Sequence, residues 1–326
     1  MVKNILLLHA HGRVYYNYGL LAAYSLRKSG FNEEILIYCD PKYIENFKEF
    51  SNKFSLDINL RPLNLNSYSR LYGPAYRFCY DVDYWAGENI YTCDTDMYFF
   101  INKNIFRNYK LHCETIGMPV SNVCRQIDTF NNRSIKNFLS NIKHSGLVDS
   151  LKLALKAHLI QQYRATMNGN FMSSELTSTD EFIKLNKKYF KNLKNNPRYY
   201  RHFRFFYDET YLYEFYKDLN IYLPITHNGM LEKLNFTLDY KKGEIYYRPQ
   251  WGLHMVLTRP KKWVGHGKKA NQNVLKNVNG RKFVVNFIEG MTSNESESIF
   301  KFLDEDFCSH IRSSVLEWDA LLKNSI

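Results

Sequence analysis

The chain of 326 residues carries 44 Lys and Arg against 32 Asp and Glu, which gives a formal net charge of +12. A hydrophobic fraction of 45% is typical of globular proteins and excludes a disordered chain. The positive charge attracts anionic partners such as nucleic acid, lipid headgroups and nucleotide-linked substrates. Net charge alone does not discriminate between these classes of partner.

Hydropathy and cysteine spacing indicate a soluble, non-secreted, cytoplasmic protein. No stretch approaches the roughly 20 apolar residues of a membrane-spanning helix, and the apolar run 5–8 is too short for a signal-peptide core. The six cysteines form no C-x-x-C pair. This spacing is typical of reduced, mostly buried thiols.

The first elements predict a β-α-β unit. Residues 4–8 form a continuous apolar run of the kind found in buried parallel strands, and they lead into a polar cluster at 9–13. Apolar residues at helical spacing follow, Gly30 ends that helix, and 34–39 is a second buried strand. The sheet therefore begins parallel.

The remaining pattern predicts an α/β fold with a mostly parallel sheet flanked by helices, a helical insert and a small C-terminal appendage. We expect one catalytic domain at 1–269 and an α/β appendage at 270–326, which contains a strand at 283–287. The further elements predicted, in chain order, are a helix at 43–50, strand 55–60, helical segment 75–84, strand 89–93, apolar segment 97–101, a helix-rich interval 128–166, strand 168–173, helices 181–193 and 209–216, and strand 244–257.

The triplet Asp94-Thr95-Asp96 is the strongest chemical signal in the sequence. It directly follows strand 89–93, and open α/β sheets bind ligands at the carboxyl ends of their strands. Two carboxylates suit Mg²⁺ or Mn²⁺, which usually completes its coordination with substrate phosphates. A second D-x-D, Asp81-Val82-Asp83, follows a helical segment, and we assign it to a helix end.

The β-α-β start, the pair Tyr76-Arg77 and the strand that runs into Asp94-Thr95-Asp96 together resemble the nucleotide-sugar-binding half of a GT-A glycosyltransferase, most of all glycosyltransferase family 8 and its relatives. The segments 167–172 and 208–210 are loosely similar to later motifs of that family. The resemblance covers roughly residues 1–270. It implies metal-dependent hexosyl or pentosyl transfer from a nucleoside-diphosphate sugar, with UDP as the expected nucleotide, to a glycan or lipid-linked hydroxyl acceptor.

By this resemblance, Asp94 and Asp96 would hold the metal ion that bridges the donor phosphates, and Thr95 would belong to the donor-binding segment. Arg77 would approach the donor sugar or pair with the D-x-D motif. Asn168 would hydrogen-bond sugar hydroxyls, although Asn-Gly is also a turn sequence. Asp208 would face the sugar or acceptor, and it is also a candidate N-cap for the helix that follows.

The family's third metal ligand is a late histidine, and this sequence offers two candidates. His254 lies on a predicted strand. His266 lies between glycines in a loop with Lys268, whose charge suits a diphosphate, and we favour His266 slightly.

The loop after the first strand should receive the nucleotide base and ribose. Tyr15 would stack on the base, and Asp40 would reach the base edge or ribose. Both residues also have ordinary explanations, because Tyr is abundant in this chain and Asp40-Pro41 is a common turn start.

Three other readings remain. A non-catalytic relative would keep the fold as a binding module, although the intact Asp94 and Asp96 argue against it. Basic residues between aromatic ones at 187–206 suggest a nucleic-acid-binding or metal-dependent nuclease-type protein, although no known nucleic-acid motif is present and we expect no nucleic-acid partner. Basic helices at 184–194 would support peripheral contact with a membrane that carries a lipid-linked acceptor.

Overall fold

The computed structural model describes residues 1–64, 73–100, 105–122, 124–126, 147–148, 151, 163–165, 170–195, 207–223, 225–226, 252–255, 275 and 278–324. The strands are β1 (Asn4–Ala10), β2 (Glu34–Cys39), β3 (Asn59–Pro62), β4 (Asn89–Thr92), β5 (Met97–Phe99), β6 (Val120–Ser121), β7 (Cys124–Gln126), β8 (Tyr163–Ala165), β9 (Asn170–Met172), β10 (Ile225–Thr226) and β11 (Gly252–His254). The α-helices are α1 (Gly12–Lys28), α2 (Ile44–Lys53), α3 (Val82–Trp85), α4 (Ile105–Ile116), α5 (Ser174–Thr177), α6 (Asp180–Asn195), α7 (Tyr207–Asp218), α8 (Val278–Thr292), α9 (Ser296–Phe300) and α10 (Glu305–Lys323), and 3-10 helices span Pro41–Tyr43 and Gly73–Phe78.

The main sheet has six strands in the order β3-β2-β1-β4-β9-β6. The pairs β3-β2, β2-β1 and β1-β4 are parallel. The strand β9 runs antiparallel to both β4 and β6. Helices cover both faces. The predicted mostly parallel, Rossmann-like sheet flanked by helices is therefore confirmed, and it is the architecture that the GT-A resemblance implies.

Each face of β1 contributes to a different hydrophobic core, because side chains alternate along a strand. Leu6 and Leu8 pack in the core formed with α1, α2 and the C-terminal helices. Ile5 and Leu7 pack in a second core with the 3-10 helix Gly73–Phe78, α6 and α7. The sheet lies between these two cores.

Two small sheets add to the main one. The first has the order β10-β7-β8, and the second pairs β5 antiparallel with β11. The strand β8 lies inside the interval predicted to be rich in helix, and most of that interval is outside the described residues. The third strand was predicted at 55–60 and is found at β3, a few residues later. The chain first turns at Ser55, which has a φ of 52°.

The C-terminal segment is helical in its described part, so the predicted strand at 283–287 is wrong. Val284, Phe287 and Met291 recur at helical spacing along α8 and are all buried. Phe287 contacts Tyr98 of β5, with ring centroids 5.4 Å apart. These helices complete the core on the α1 side of the sheet, whereas the boundary at residue 269 lies outside the described residues and stays a prediction.

The second D-x-D was assigned to a helix end, but it begins a helix instead. Asp81 is the residue before α3 and has a left-handed φ of 55°. Its carboxylate accepts hydrogen bonds from Tyr38 at 3.0 Å and Arg61 at 3.1 Å. Asp83 is exposed and pairs with Lys187.

All six cysteines are buried and free of disulfide bonds, which confirms the prediction from their spacing. Burial raises the pKa of the Cys39 thiol to about 12. None of the described helices combines the length and the apolar character needed to cross a membrane.

We expect Gly19→Ala to destabilise the protein by about 1–3 kcal/mol, because helix α1 packs closely on the end of β1. A Cβ at Gly19 would lie 2.7 Å from the Ala10 Cβ. Urea unfolding measures the effect. The double variant Gly19→Ala/Ala10→Gly should recover part of the loss, and an unchanged free energy of unfolding in the single variant would contradict this packing.

A second expectation concerns pH. Burial lowers the pKa of His112 to about 4, and its Nδ1 lies 2.7 Å from the Ser121 hydroxyl. The unfolded chain binds this proton near pH 6.5 and the folded chain does not, so the stability present above pH 6.5 declines as the pH falls toward 4. We expect His112 to account for about 3 kcal/mol of this decline.

The measurement is urea unfolding at several pH values between 7 and 4, with His112→Gln for comparison. The variant should lose less stability over this range than the wild type. Equal losses of unfolding free energy in the two proteins would show that His112 does not contribute to the decline in stability at low pH.

Candidate active site

The site lies where the strand order of the main sheet changes direction. The chain leaves β1 through α1 to β2 on one side, and later returns to β4 on the other side of β1. Open α/β sheets bind ligands in the crevice at the carboxyl ends of such strands. The segments that follow β1, β2 and β4 carry His11, Asp40 and Asp94 to this edge.

Arg77 and Asp94 form a largely buried ion pair in this crevice. The Arg77 Nη1 lies 2.7 Å from the Asp94 Oδ1 and also donates to the Cys93 carbonyl at 3.1 Å. The side chains are 8% and 22% exposed, respectively. Charge-assisted hydrogen bonds of this kind fix the orientation of a carboxylate. Arg77 thus pairs with the D-x-D motif, and its approach to a donor sugar stays a prediction.

Thr95 connects the D-x-D segment to the end of β1. Its hydroxyl donates to the His9 carbonyl at 2.8 Å, and the His9 amide lies 3.2 Å from the same oxygen. Thr95 is 3% exposed. This side chain is therefore an anchor that holds the turn between β4 and β5 against the neighbouring strand.

Asp96 is also buried, with 3% exposure, and leads directly into β5. Its backbone carbonyl accepts a hydrogen bond from the Met255 amide at 2.7 Å. The register of β11 on β5 sets His254 opposite Met97. The backbone of His254 is thus next to the D-x-D segment, although the described residues do not include its side chain.

Asp40 holds the loop that follows β1. The Asp40 Oδ2 accepts a hydrogen bond from the Gly12 amide at 2.6 Å, at the start of α1, where Gly12 has a φ of 67°. The Tyr15 ring stacks on the His11 ring at 4.8 Å with an interplanar angle of 21°. Burial, and secondarily the charge of Arg77, lowers the pKa of His11 to about 3.

His9 opens the polar cluster at 9–13, and no individual role was predicted for it. Its ring contacts those of Tyr38 and Tyr80, with ring centroids 5.2 and 6.1 Å away, and both ring nitrogens are buried without a hydrogen-bond partner. Burial lowers its pKa well below the usual range, so the ring is neutral. The strand β1 continues to Ala10, so this residue of the predicted polar cluster lies within the strand.

The other predicted residues are only partly described. Asp208 is the second residue of α7, so it lies in the first helical turn instead of at the N-cap, and its side chain is not described. Asn168, His266 and Lys268 lie outside the described residues. Near the predicted Asn168, Asn170 of β9 is fully buried and donates to the Thr92 hydroxyl at 2.8 Å.

The possible metal ligands of this site suit a hard divalent cation in part. Asp94 and Asp96 supply two carboxylates one residue apart, and Mg²⁺ or Mn²⁺ sites often use one or two carboxylates with substrate phosphates. Within the described ranges, no three His, Cys, Asp or Glu side chains come together as a metal-binding group.

Comparison with known proteins gives only distant structural likenesses. No protein-family model and no curated protein matches the sequence. Core-mannan synthase A from Aspergillus fumigatus, in an Mn/GDP form, aligns over 70% of this chain and 73% of its own, with 11% identity and a TM-score of 0.40.

Two further structures align less well. The 4-diphosphocytidyl-2C-methyl-D-erythritol synthase from Anaerococcus prevotii has 10% identity and a TM-score of 0.37 over 69% of this chain and 89% of its own. A CMP:2-keto-3-deoxy-manno-octonic acid synthetase in complex with CTP has 10% identity and a TM-score of 0.36 over the same shares. With likeness this low, the function has to be inferred from the geometry of the site.

Proposed function

We propose that this chain is a metal-dependent glycosyltransferase that moves a sugar from a nucleoside-diphosphate sugar to a hydroxyl acceptor. The observation that carries the proposal is the Asp94-Thr95-Asp96 segment, held at the carboxyl edge of β1 and β4 by Arg77 and by the His9 backbone. A UDP-sugar is the first donor to test, and a glycan or a lipid-linked glycan is the acceptor.

Asp94 and Asp96 would hold Mn²⁺ or Mg²⁺ together with the donor diphosphate. The bound metal would neutralise the charge that develops on the departing nucleoside diphosphate. For the third ligand, the pairing of β11 with β5 supports His254, because it brings that backbone beside Asp96. His266 remains the alternative, with Lys268 as a neighbouring phosphate-binding cation.

Several residues are proposed to contribute to binding of the nucleotide-sugar donor or the acceptor. Arg77 holds the Asp94 carboxylate in one orientation, so little reorganisation is needed when the donor arrives. Asp40 orders the start of α1. Tyr15, whose ring stacks on His11, is proposed to contact the base. Asn168 and Asp208 are proposed to contact the sugar or acceptor.

The first experiment is thermal unfolding with UDP, GDP, ATP or single-stranded DNA, each with and without Mn²⁺. At a ligand concentration of about 100 times Kd, specific binding adds about 2.7 kcal/mol of stability. We expect a rise with a nucleoside diphosphate that requires Mn²⁺, and this result also identifies the base for sugar screening. Stabilisation by DNA alone would overturn the proposal in favour of nucleic-acid binding.

Donor hydrolysis or transfer to added glycans then tests the reaction itself. We expect release of the nucleoside diphosphate from one nucleotide sugar in the presence of Mn²⁺, and its loss when the metal is chelated. Nucleotide binding without release from any nucleotide sugar or transfer to any acceptor would indicate a binding protein that keeps this fold.

A further inference from the structure

A second feature of the molecule lies on helix α6, outside the candidate active site. Five lysines of this helix are exposed, whereas Phe182, Tyr189 and Leu193 are buried in the second core. At 100° per residue, the lysines fall within about 120° of one another, on the side opposite the buried residues. We call this surface the lysine face, and its members are Lys184, Lys187, Lys188, Lys191 and Lys194.

Within the described part of the chain, one ion pair is formed by these lysines. Lys187 pairs with the exposed Asp83 at 2.6 Å. Among the described residues, none forms an ion pair with the other four lysines. The acidic residues of the helix, Asp180 and Glu181, are confined to its first turn. The middle and last turns of α6 thus present a row of cations to the solvent.

The chemistry of the face favours a flat anionic surface over a nucleic acid strand. Proteins that bind single-stranded nucleic acid usually offer exposed aromatic rings on which bases stack. In α6 the rings of Phe182 and Tyr189 are buried, and the half-buried Phe190 is packed against Tyr76 and Tyr80. Lysines on one side of an amphipathic helix are typical of contact with anionic lipid headgroups.

The lysine face is also linked to the candidate active site. The Asn186 side chain of α6 donates to the Phe78 carbonyl at 2.8 Å, and Phe78 is the neighbour of Arg77. This contact is made by the buried side of α6, so the helix lies between the lysine face and the 3-10 helix that supplies Arg77 to the crevice.

We propose that the lysine face of α6 docks the protein on a lipid bilayer that carries anionic headgroups. The apolar residues of α6 are used in the core, so the contact is electrostatic and involves no insertion of the helix into the hydrocarbon. Binding should therefore need anionic lipid and should weaken steeply with salt. This proposal stands independently of the proposed transferase activity.

The experiment is co-sedimentation of the full chain with phosphatidylcholine vesicles, with and without phosphatidylglycerol, in the absence of nucleotide and metal. We expect binding only to the vesicles that contain phosphatidylglycerol. The triple variant Lys184→Gln/Lys188→Gln/Lys191→Gln should weaken it on the order of a hundredfold, since one lysine near an anionic surface contributes about fivefold. Circular dichroism checks that the variant is folded.

A control variant removes the same charge elsewhere, through Lys48→Gln, Lys53→Gln and Lys301→Gln, all exposed positions away from α6. This control should retain most of the binding. Failure of the wild type to bind phosphatidylglycerol vesicles, or equal losses in the two triple variants, would overturn the proposal. Binding of DNA through the lysine face, without binding of vesicles, would also overturn it.

Discussion

Asp96→Asn is expected to abolish Mn²⁺-dependent binding of the nucleoside diphosphate while the protein stays folded. The amide has nearly the shape of the carboxylate but lacks its charge, and metal sites of this class depend on anionic oxygen ligands. The stabilisation by nucleotide plus Mn²⁺, about 2.7 kcal/mol at about 100 times Kd, should vanish. Sugar transfer should fall on the order of a hundredfold or more, because a bound metal contributes several kcal/mol.

The second D-x-D motif provides a matched control for this experiment. Asp83 is exposed and pairs only with Lys187 among the described residues. Asp83→Asn removes the same charge from the same sequence pattern, away from the crevice, and should leave both binding and transfer unchanged. If Asp96→Asn retains the Mn²⁺-dependent stabilisation, or if both variants lose it equally, Asp96 is not a metal ligand.

Arg77→Ala is expected to give the largest loss of stability, about 3–5 kcal/mol. The substitution leaves the Asp94 carboxylate without its partner at 2.7 Å in a largely buried position, and it removes the donor to the Cys93 carbonyl. Urea unfolding without ligand measures the loss. The double variant Arg77→Ala/Asp94→Asn should recover part of it, because the carboxylate charge that Arg77 neutralises is then also removed.

Arg312→Ala serves as the control for that prediction. Arg312 pairs with Glu297 at 2.9 Å, but the two side chains are 55% and 71% exposed. An exposed pair contributes about 1 kcal/mol or less. If Arg77→Ala costs no more than Arg312→Ala, the Arg77–Asp94 pair does not hold the crevice together.

The first half of the fold could be predicted from the sequence because its signals are local. The strand β1 contains the continuous apolar run 5–8, α1 follows with apolar residues at helical spacing, and Gly30 ends that unit. The segment 283–287 shows where this approach fails. Its β-branched and aromatic residues favour a strand, but packing of Val284 and Phe287 against the first core selects a helix.

The candidate site could be predicted only in part, because its key contacts join distant residues. The D-x-D motif after β4 is visible in the sequence. The bond between Arg77 and Asp94 depends on how the 3-10 helix packs, and the pairing of β11 with β5 joins residues far apart in the chain. No local sequence pattern indicates that the backbone of His254 lies next to Asp96.

The most direct test of the central claim is a crystal structure of the protein with a nucleoside diphosphate and Mn²⁺, with the metal located by its anomalous scattering. We expect one Mn²⁺ bound by a carboxylate oxygen of Asp94 or Asp96 and by the diphosphate, in the crevice between β1 and β4. A nucleotide bound elsewhere, or a Mn²⁺ ion that neither carboxylate contacts, would contradict the assignment of this site.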